Sequence, residues 1–449
     1  MKKTKHYLSA TLLAAAAGMT IASTGHAQSV DALLDKLVDK GVISVKEANE
    51  LRNESDKNFN TAMSAKLGMP DWVSSLKMSG DIRARYENFN SCNPAFTDRN
   101  RYRYRLRFGI VANLADNFEA GFRLTSGEAN GSFGGDPISG NTTFTDNASK
   151  KFIYVDQAYG KWTPVKGPDV TGSFTVGKME NPFVFSDLVF DGDYTPEGGA
   201  MQFAYRLNDE HTLKLNAGAF VLDEVGGSGQ DPYLLGAQAR WDADWNTKWR
   251  HSLGIAGLGI CKGGQLANAS VPNVNRGNTH NSTGNTNVTA YSFDTVVADA
   301  SITYVLESAP YYNGSFPIKV GGDYMINTEA PGSAGNYGYS VGITLGKSGK
   351  RRTWDISYYW KYLGANAWWE ELVDSDFGAY YQSPLFGSAL GSGFGSGTNV
   401  KGHTLRFAYS PSDSVTLSAK WFLTELIDEV PAGSNSKMSR LQVDAQWKF

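Results

Sequence analysis

From residue 76 to the C-terminus, apolar and polar side chains alternate in runs of about ten to fifteen residues separated by turn-forming residues. The most regular run is Arg99 to Ala115, RNRYRYRLRFGIVANLA, in which Arg99, Arg101, Arg103, Arg105 and Arg107 recur at every second position. Tyr102, Tyr104, Leu106, Phe108 and Ile110 stand between them. A period of two places all the bulky apolar groups on one face of a strand and the guanidinium groups on the other, whereas a helix scatters both sets. Similar runs lie near 76–88, 117–127, 151–163, 170–178, 198–208, 211–222, 233–243, 247–261, 293–307, 314–326, 336–347, 352–363, 400–410, 413–423 and 438–449. With 99–115 they make sixteen, an even number, as a closed antiparallel barrel requires. Only 247–261 is ambiguous in phase.

The connections alternate as well. Turns at Asp116, Asn208–Glu210, Asp244–Asn246, Ser348–Arg351 and Pro411–Ser412 are tight, and those at 164–169 and 308–313 are slightly longer. Connections at 128–150, 179–197, 262–292 and 364–399 are long and rich in Gly, Ser and Asn. Short turns on one side and long loops on the other mark a barrel that crosses a membrane. A soluble sandwich has no reason to keep that rhythm. The apolar faces hold Met201, Phe203 and Tyr205, then Leu213 and Leu215, then Val341, Ile343 and Leu345. Opposite them stand Gln202, Lys214, Asn216, Ser340, Thr344, Ser418 and Lys420, which suit a wet interior better than a packed core. The fold class expected is therefore all-β, a 16-stranded antiparallel transmembrane β-barrel over 76–449. Oily side chains would face lipid and the arginines a water-filled lumen.

The N-terminal region has a different pattern. Lys2, Lys3 and Lys5 precede an apolar run from Leu8 to Ile21 and the small residues around Gly25-His26-Ala27, which read as a signal peptide over 1–27, cleaved after Ala27. Residues 28–57 carry Val30, Leu33, Leu34, Leu37 and Val38 at helical spacing, and Ser44 with Glu47 forms a capping box. This is a short periplasmic helical hairpin or coiled coil. It serves either as an amphipathic spacer or as an element that helps trimerise the protein or touches peptidoglycan. Residues 58–75 form a linker. No later run of about eighteen apolar residues exists, which excludes a helical membrane protein.

Composition adds to this picture. There are 49 Gly, 22 Tyr, 23 Phe and 11 Trp against 2 Cys, and such aromatic enrichment is expected where rings collect at membrane interfaces. The net charge of -3 does not suggest a nucleic-acid partner. Cys92 and Cys261 could form one disulfide in an oxidising compartment or remain unpaired. No H-E-x-x-H, C-x-x-C or G-x-S-x-G motif occurs. Gly342-Ile343-Thr344-Leu345-Gly346-Lys347-Ser348 is one residue short of a P-loop and sits in an alternating run, and the six histidines have no metal-ligand spacing. The expectation is no enzyme, no cofactor and no metal.

Charge matters locally. If Glu87 pairs with Arg101, the same register sets Arg85 against Arg103, Arg83 against Arg105 and Asp81 against Arg107. Like charges directly opposite are destabilising, so the pairs need acids, anions or water. One reading is a solvated wall with screened charges; the other is a basic stripe lining a pore, extended by Arg123 on the next strand.

The last run, Leu441, Val443, Ala445, Trp447 and Phe449, ends the chain on an aromatic residue, which looks like the assembly signal of outer-membrane barrels. The stretch Gly177-Lys178-Met179-Glu180-Asn181-Pro182-Phe183, followed by Asp191-Gly192-Asp193 and Thr195-Pro196-Glu197-Gly198, resembles the bacterial putative-porin family, related in design to phosphate-selective and general porins. The resemblance implies a third extracellular loop that folds into the barrel. Here that loop is 179–197, anchored by Phe183, Phe185, Leu188 and Phe190. Its acids Asp187, Asp191, Asp193 and Glu197 would face Arg83, Arg85, Arg101, Arg103, Arg105, Arg107 and Arg123 and set a transverse field. It further implies an outer-membrane porin of a Gram-negative-type bacterium, a homotrimer in contact with outer-membrane lipid, passing small hydrophilic solutes and ions by passive diffusion. An anion- or sugar-selective channel and a structural or adhesive barrel with a plugged lumen stand as alternatives. Trp368, Trp369, Phe377, Tyr380 and Tyr381 in 364–399 could stack on sugars, cap the barrel mouth or pack between subunits.

Overall fold

The computed structural model describes residues 70–129, 134–267, 276–281, 288–381, 393–429 and 435–449, together with Leu37, Glu47 and Leu51. The chain divides into two units, 1–74 and 75–449. In the first, the three isolated described positions are helical. The signal at 1–27, the rest of the helical segment at 28–57 and the linker up to residue 69 lie outside the described residues.

In the second unit the alternating runs form one antiparallel sheet. β1 is Val73–Ser91, β2 Arg99–Leu114 and β3 Phe118–Gly127, while β4, Thr142–Thr143, is a two-residue strand beside β2. β5 (Phe152–Lys166), β6 (Val170–Lys178), β7 (Glu197–Arg206), β8 (His211–Val221) and β9 (Tyr233–Asp244) follow in neighbour order. β10 (Trp249–Cys261), β11 (Phe293–Leu306), β12 (Phe316–Asn327), β13 (Tyr337–Gly346) and β14 (Thr353–Leu363) continue the wall. β15 (Gly378–Tyr381) and β16 (Gly393–Ser396) make a separate hairpin, and β17 (Val400–Ser410), β18 (Val415–Leu426) and β19 (Met438–Lys448) complete the wall. β19 pairs back onto β1, with Arg85 opposite Asp444 and Glu87 opposite Gln442. Among the described residues the wall thus has sixteen strands and no free edge, the condition under which a sheet can cross lipid. Strand ends shift by a few residues from the sequence expectation, as at β18, which runs to Leu426 rather than to 423.

The inversion of polarity is also present. Val176, Ile255 and Val341 are 67%, 58% and 52% exposed on the outside, while Asn216, Gln238 and Ser340 are buried on the inside. Exposed Phe118, Trp162, Trp245, Trp249, Trp447 and Phe449 gather at the short-turn end, the place of an interfacial aromatic girdle. The ambiguous run 247–261 is β10, and its ambiguity has a cause. Leu253 and Ile255 point outward, but the inward Ala256, Leu258 and Ile260 are apolar too, because they belong to a core formed with loops inside the barrel.

The connections at the end opposite the short turns are numbered in chain order. L1 is 92–98, L2 128–151, L3 179–196, L4 222–232, L5 262–292, L6 328–336, L7 364–399 and L8 427–437. L3 and L7 supply the buried apolar cluster of Phe183, Leu188, Val189, Phe190, Trp368, Leu372 and Phe377. Cys92 and Cys261 are both free thiols.

Candidate functional site

L3 crosses the barrel because successive residues find successive inward-facing partners. Phe183 lies over Gly236 of β9, where a Cβ would come within 2.5 Å of the ring. The backbone of Val184 is held twice by Gln238, whose amide donates at 2.8 Å and whose carbonyl accepts at 3.0 Å. Ser186 donates to Asp323 of β12 at 2.7 Å. Asp187 accepts from Lys361 of β14 and lies 3.8 Å from Lys420 of β18. Phe190 meets Trp368 of L7 edge-on at 6.1 Å and stacks on Tyr194. Asp193 then reaches β2, accepting from Arg107 at 2.6 Å and from Arg105 at 3.0 Å.

The arginines line one inner wall. Arg101 is bonded to Glu87, which has no exposed surface and also accepts from Arg440 at 2.6 Å and Gln442 at 2.8 Å. Arg103 comes within 3.7 Å of the same carboxylate. Arg85 bonds Asp444 at 2.7 Å and Asp376 of L7 at 3.3 Å. Arg105 also reaches Asp81 at 2.9 Å. Arg123 pairs with Asp156, which lies 4.0 Å from Arg107. Arg83 alone among the seven has no carboxylate partner among the described residues; it donates to Asn141 of L2 at 2.7 Å. The like-charge rows that the register implied are therefore interleaved with acids drawn from the strands, from L3 and from L7.

The four L3 acids separate. Asp193 joins the arginine wall, and Asp187 crosses to the lysines on the other side. Burial works to raise both carboxyls, yet Arg107 and Arg105 hold Asp193 below its ordinary value, and Lys361 and Lys420 do the same more strongly for Asp187. Asp191 meets no cation among the described residues. Its carboxylate accepts from the backbone N–H groups of Asp193 and Ser375, each at 2.8 Å, and burial together with the charge of Asp374 pushes it up to about 7. Glu197 heads β7 and bonds Lys178 at 2.9 Å with 65% of its side chain exposed, away from the arginines.

Sequence reasoning did not single out the L7 acids Asp374 and Asp376, nor Lys361, Arg440 and Glu87 as hubs. The L7 residues stand in a loop without periodicity, so their partners exist only once the barrel has closed. Trp368 was legible as an aromatic candidate; in the fold it is fully buried against Phe190 and Phe293. L5 is pinned to L7 by Glu370, which accepts from the backbone N–H groups of Arg276 and Asn278 and faces His280 at 3.0 Å.

No curated protein matches the chain. Among solved structures it is similar to Pseudomonas putida OprB at high pH, with 11% identity over 87% of this chain and 97% of that one and a TM-score of 0.51. It is also similar to Salmonella typhi OmpF in complex with daunomycin, with 11% identity over 83% and 97% of the two chains and a TM-score of 0.47. For a triple mutant of Rhodopseudomonas blastica porin the identity is 10% over 83% and 100%, with a TM-score of 0.42. The likeness to OprB shows the fold. Residues 89–258 match the family model described as "Putative porin". Family match and closed barrel together point to a bacterial outer membrane. Residues 89–258, from the end of β1 into β10, thus carry the sequence pattern of that model, within a closed sixteen-stranded barrel.

Proposed function

We propose that this protein is a passive diffusion channel for small hydrophilic solutes and ions, exported by the signal at 1–27 and narrowed by L3. The observation that carries the reading is Asp193, a loop carboxylate fixed against Arg105 and Arg107 of the wall. A loop pinned across the lumen by ion pairs sets a size limit, and its acids opposite guanidinium groups order water and favour permeants by charge and dipole. Outer-membrane lipid covers the outer face. The trimeric state, and contact of 28–57 with peptidoglycan, belong to the same proposal.

A second reading, a plugged barrel, draws on L7, whose Trp368, Leu372 and Phe377 occupy interior space beside L3. Liposome swelling separates the two. A channel gives rates that fall steeply as the sugar grows from a pentose to a disaccharide, and Asp193→Asn, which frees one end of L3, shifts that fall to larger sugars. Swelling at the protein-free background for every sugar would establish the plug.

A further inference from the structure

The arginine wall concentrates positive charge, but six of its seven guanidinium groups already lie against carboxylates and Arg83 donates to Asn141. The chemistry left over lies across L3. Between L3 and the wall from β9 to β18 is a cavity of about 460 Å³ that contains charged and hydroxyl-bearing side chains from eight strands. Each of its carboxylates is engaged. Asp299 accepts both terminal nitrogens of Arg240, at 2.8 and 2.9 Å; Asp323 accepts from the hydroxyls of Ser186 and Ser340; Asp187 accepts from Lys361. Arg406 is bonded to Asp355 of β14.

One ammonium group is left unpaired and a second is only loosely held. Lys319 of β12 has no ion-pair partner among the described residues. Lys420 lies 4.6 Å from the centre of the Phe422 ring and 3.8 Å from Asp187, whose charge Lys361 already takes at closer range. Three hydroxyls also remain. Thr404, only 4% exposed, lines the cavity with an Oγ1 that has no hydrogen-bond partner among the described residues, and such a buried orphan calls for a ligand or water. Ser301 and Ser357 line the same cavity without a side-chain hydrogen-bond partner among the described residues.

We propose that this cavity is a binding site for a small polyhydroxylated carboxylate, with Lys319 and Lys420 taking the carboxylate and Thr404, Ser301 and Ser357 the hydroxyls. The inference rests on the channel reading and deepens it: beside the transverse field between Asp193 and the arginine wall, the lysine side of L3 holds the anion itself. An unpaired ammonium, Lys319, beside a second one, Lys420, shared only loosely with Asp187, biases the site toward an anion. Neutral hydroxyls, able both to donate and to accept, suit the hydroxyl groups of a sugar acid and leave a simple halide with fewer partners. A cavity of this size holds a molecule of about six carbons and some water.

Gluconate is the probe, glucose its uncharged counterpart and chloride its simple anion. The full chain in detergent is titrated with gluconate by calorimetry, and its KCl conductance is measured separately in planar bilayers. Gluconate binds at least tenfold more tightly than glucose. The Lys319→Gln/Lys420→Gln variant loses at least tenfold of that affinity, Thr404→Val loses severalfold, and Lys319→Arg/Lys420→Arg retains most of it. Equal affinity for gluconate and glucose overturns the site, as does full gluconate affinity in the double glutamine variant. Because calorimetry does not need an open pore, a protein that binds gluconate but conducts no KCl refutes the channel and leaves the site standing. One that conducts but does not bind refutes the site alone.

Discussion

Glu87 shows how far one residue can concentrate the energetics of this wall. Its carboxylate is fully buried among Arg101, Arg440, Gln442 and, slightly farther away, Arg85 and Arg103. Removing one partner of a buried pair leaves uncompensated charge in a low-dielectric place, which costs about 3–5 kcal/mol. Glu87→Gln keeps the shape and deletes the charge, so it lowers the unfolding free energy by an amount in that range, read as a drop in the urea midpoint of the protein folded into lipid vesicles. Glu197→Gln removes an acid that is 65% exposed and bonded to one lysine, and its cost stays below about 1 kcal/mol. A midpoint for Glu87→Gln equal to that of Glu197→Gln would show that lumen water, and not Glu87, compensates the arginines. The pairing of Arg101 with Glu87 was one register that the sequence allowed, since alternation puts both residues on the polar face of adjacent strands, and the structure has that bond. The second and third partners of Glu87 come from the far end of the chain, at Arg440 and Gln442, and only closure of β19 on β1 brings them there.

Between elements, the important contact is the clasp of L3 and L7. The Asp191 N–H donates to the Leu372 carbonyl at 2.8 Å, the Asp374 N–H to the Asp187 carbonyl at 3.2 Å, and Lys361 bridges the carboxylates of Asp187 and Asp374. The inward course of L3 was expected from family resemblance. That L7 would meet it was not, since an aromatic-rich loop reads the same whether its rings meet sugars, subunits or a second loop. Burial raises the carboxyls of Asp191 and Asp374; the charge of Asp374 adds to the first, and those of Asp187 and Asp376 add to the second. The free side chain of Asp191 loses its proton near 3.8, whereas the folded one keeps it until about 7. A carboxyl whose folded value is raised withdraws stability as pH climbs through that interval. The new charge sets Asp191 against Asp374 and Asp193, and Lys361 and Lys420 relieve only part of this because Asp187 already engages them. The clasp is therefore firmer at pH 5.5 than at pH 8. Hydrogen–deuterium exchange over 187–194 and 372–377, corrected for intrinsic pH dependence, should accelerate across that range, and Asp191→Asn should flatten the response. Exchange that accelerates equally in the variant would assign the effect to another group.

At the scale of the whole barrel, the sequence was most readable where both faces of a strand obeyed one solvent. Val341 and Ile343 against Ser340 and Thr344 in β13 gave strand, phase and direction together. It was least readable in β10, where interior loops make the inner face as apolar as the outer one, so that alternation alone could not separate lipid from core. Closure, strand number and the short-long rhythm thus follow from pattern, while the filling of the lumen follows from contacts between residues distant in sequence. The inversion of polarity makes one demand that a soluble sandwich would not. Val341 lies midway along β13 and is 52% exposed on the outer face. An arginine at the mid-plane of a lipid-facing barrel wall costs about 2–4 kcal/mol, far more than near the interfaces. Val341→Arg should therefore lower the folding free energy in vesicles by that amount, while Leu213→Arg, near the short-turn end of β8 close to the girdle, should cost about 1 kcal/mol or less. On a water-facing strand both substitutions would be nearly neutral. Equal small effects at the two positions, with the protein staying dispersed in buffer without detergent, would place water where the barrel requires hydrocarbon.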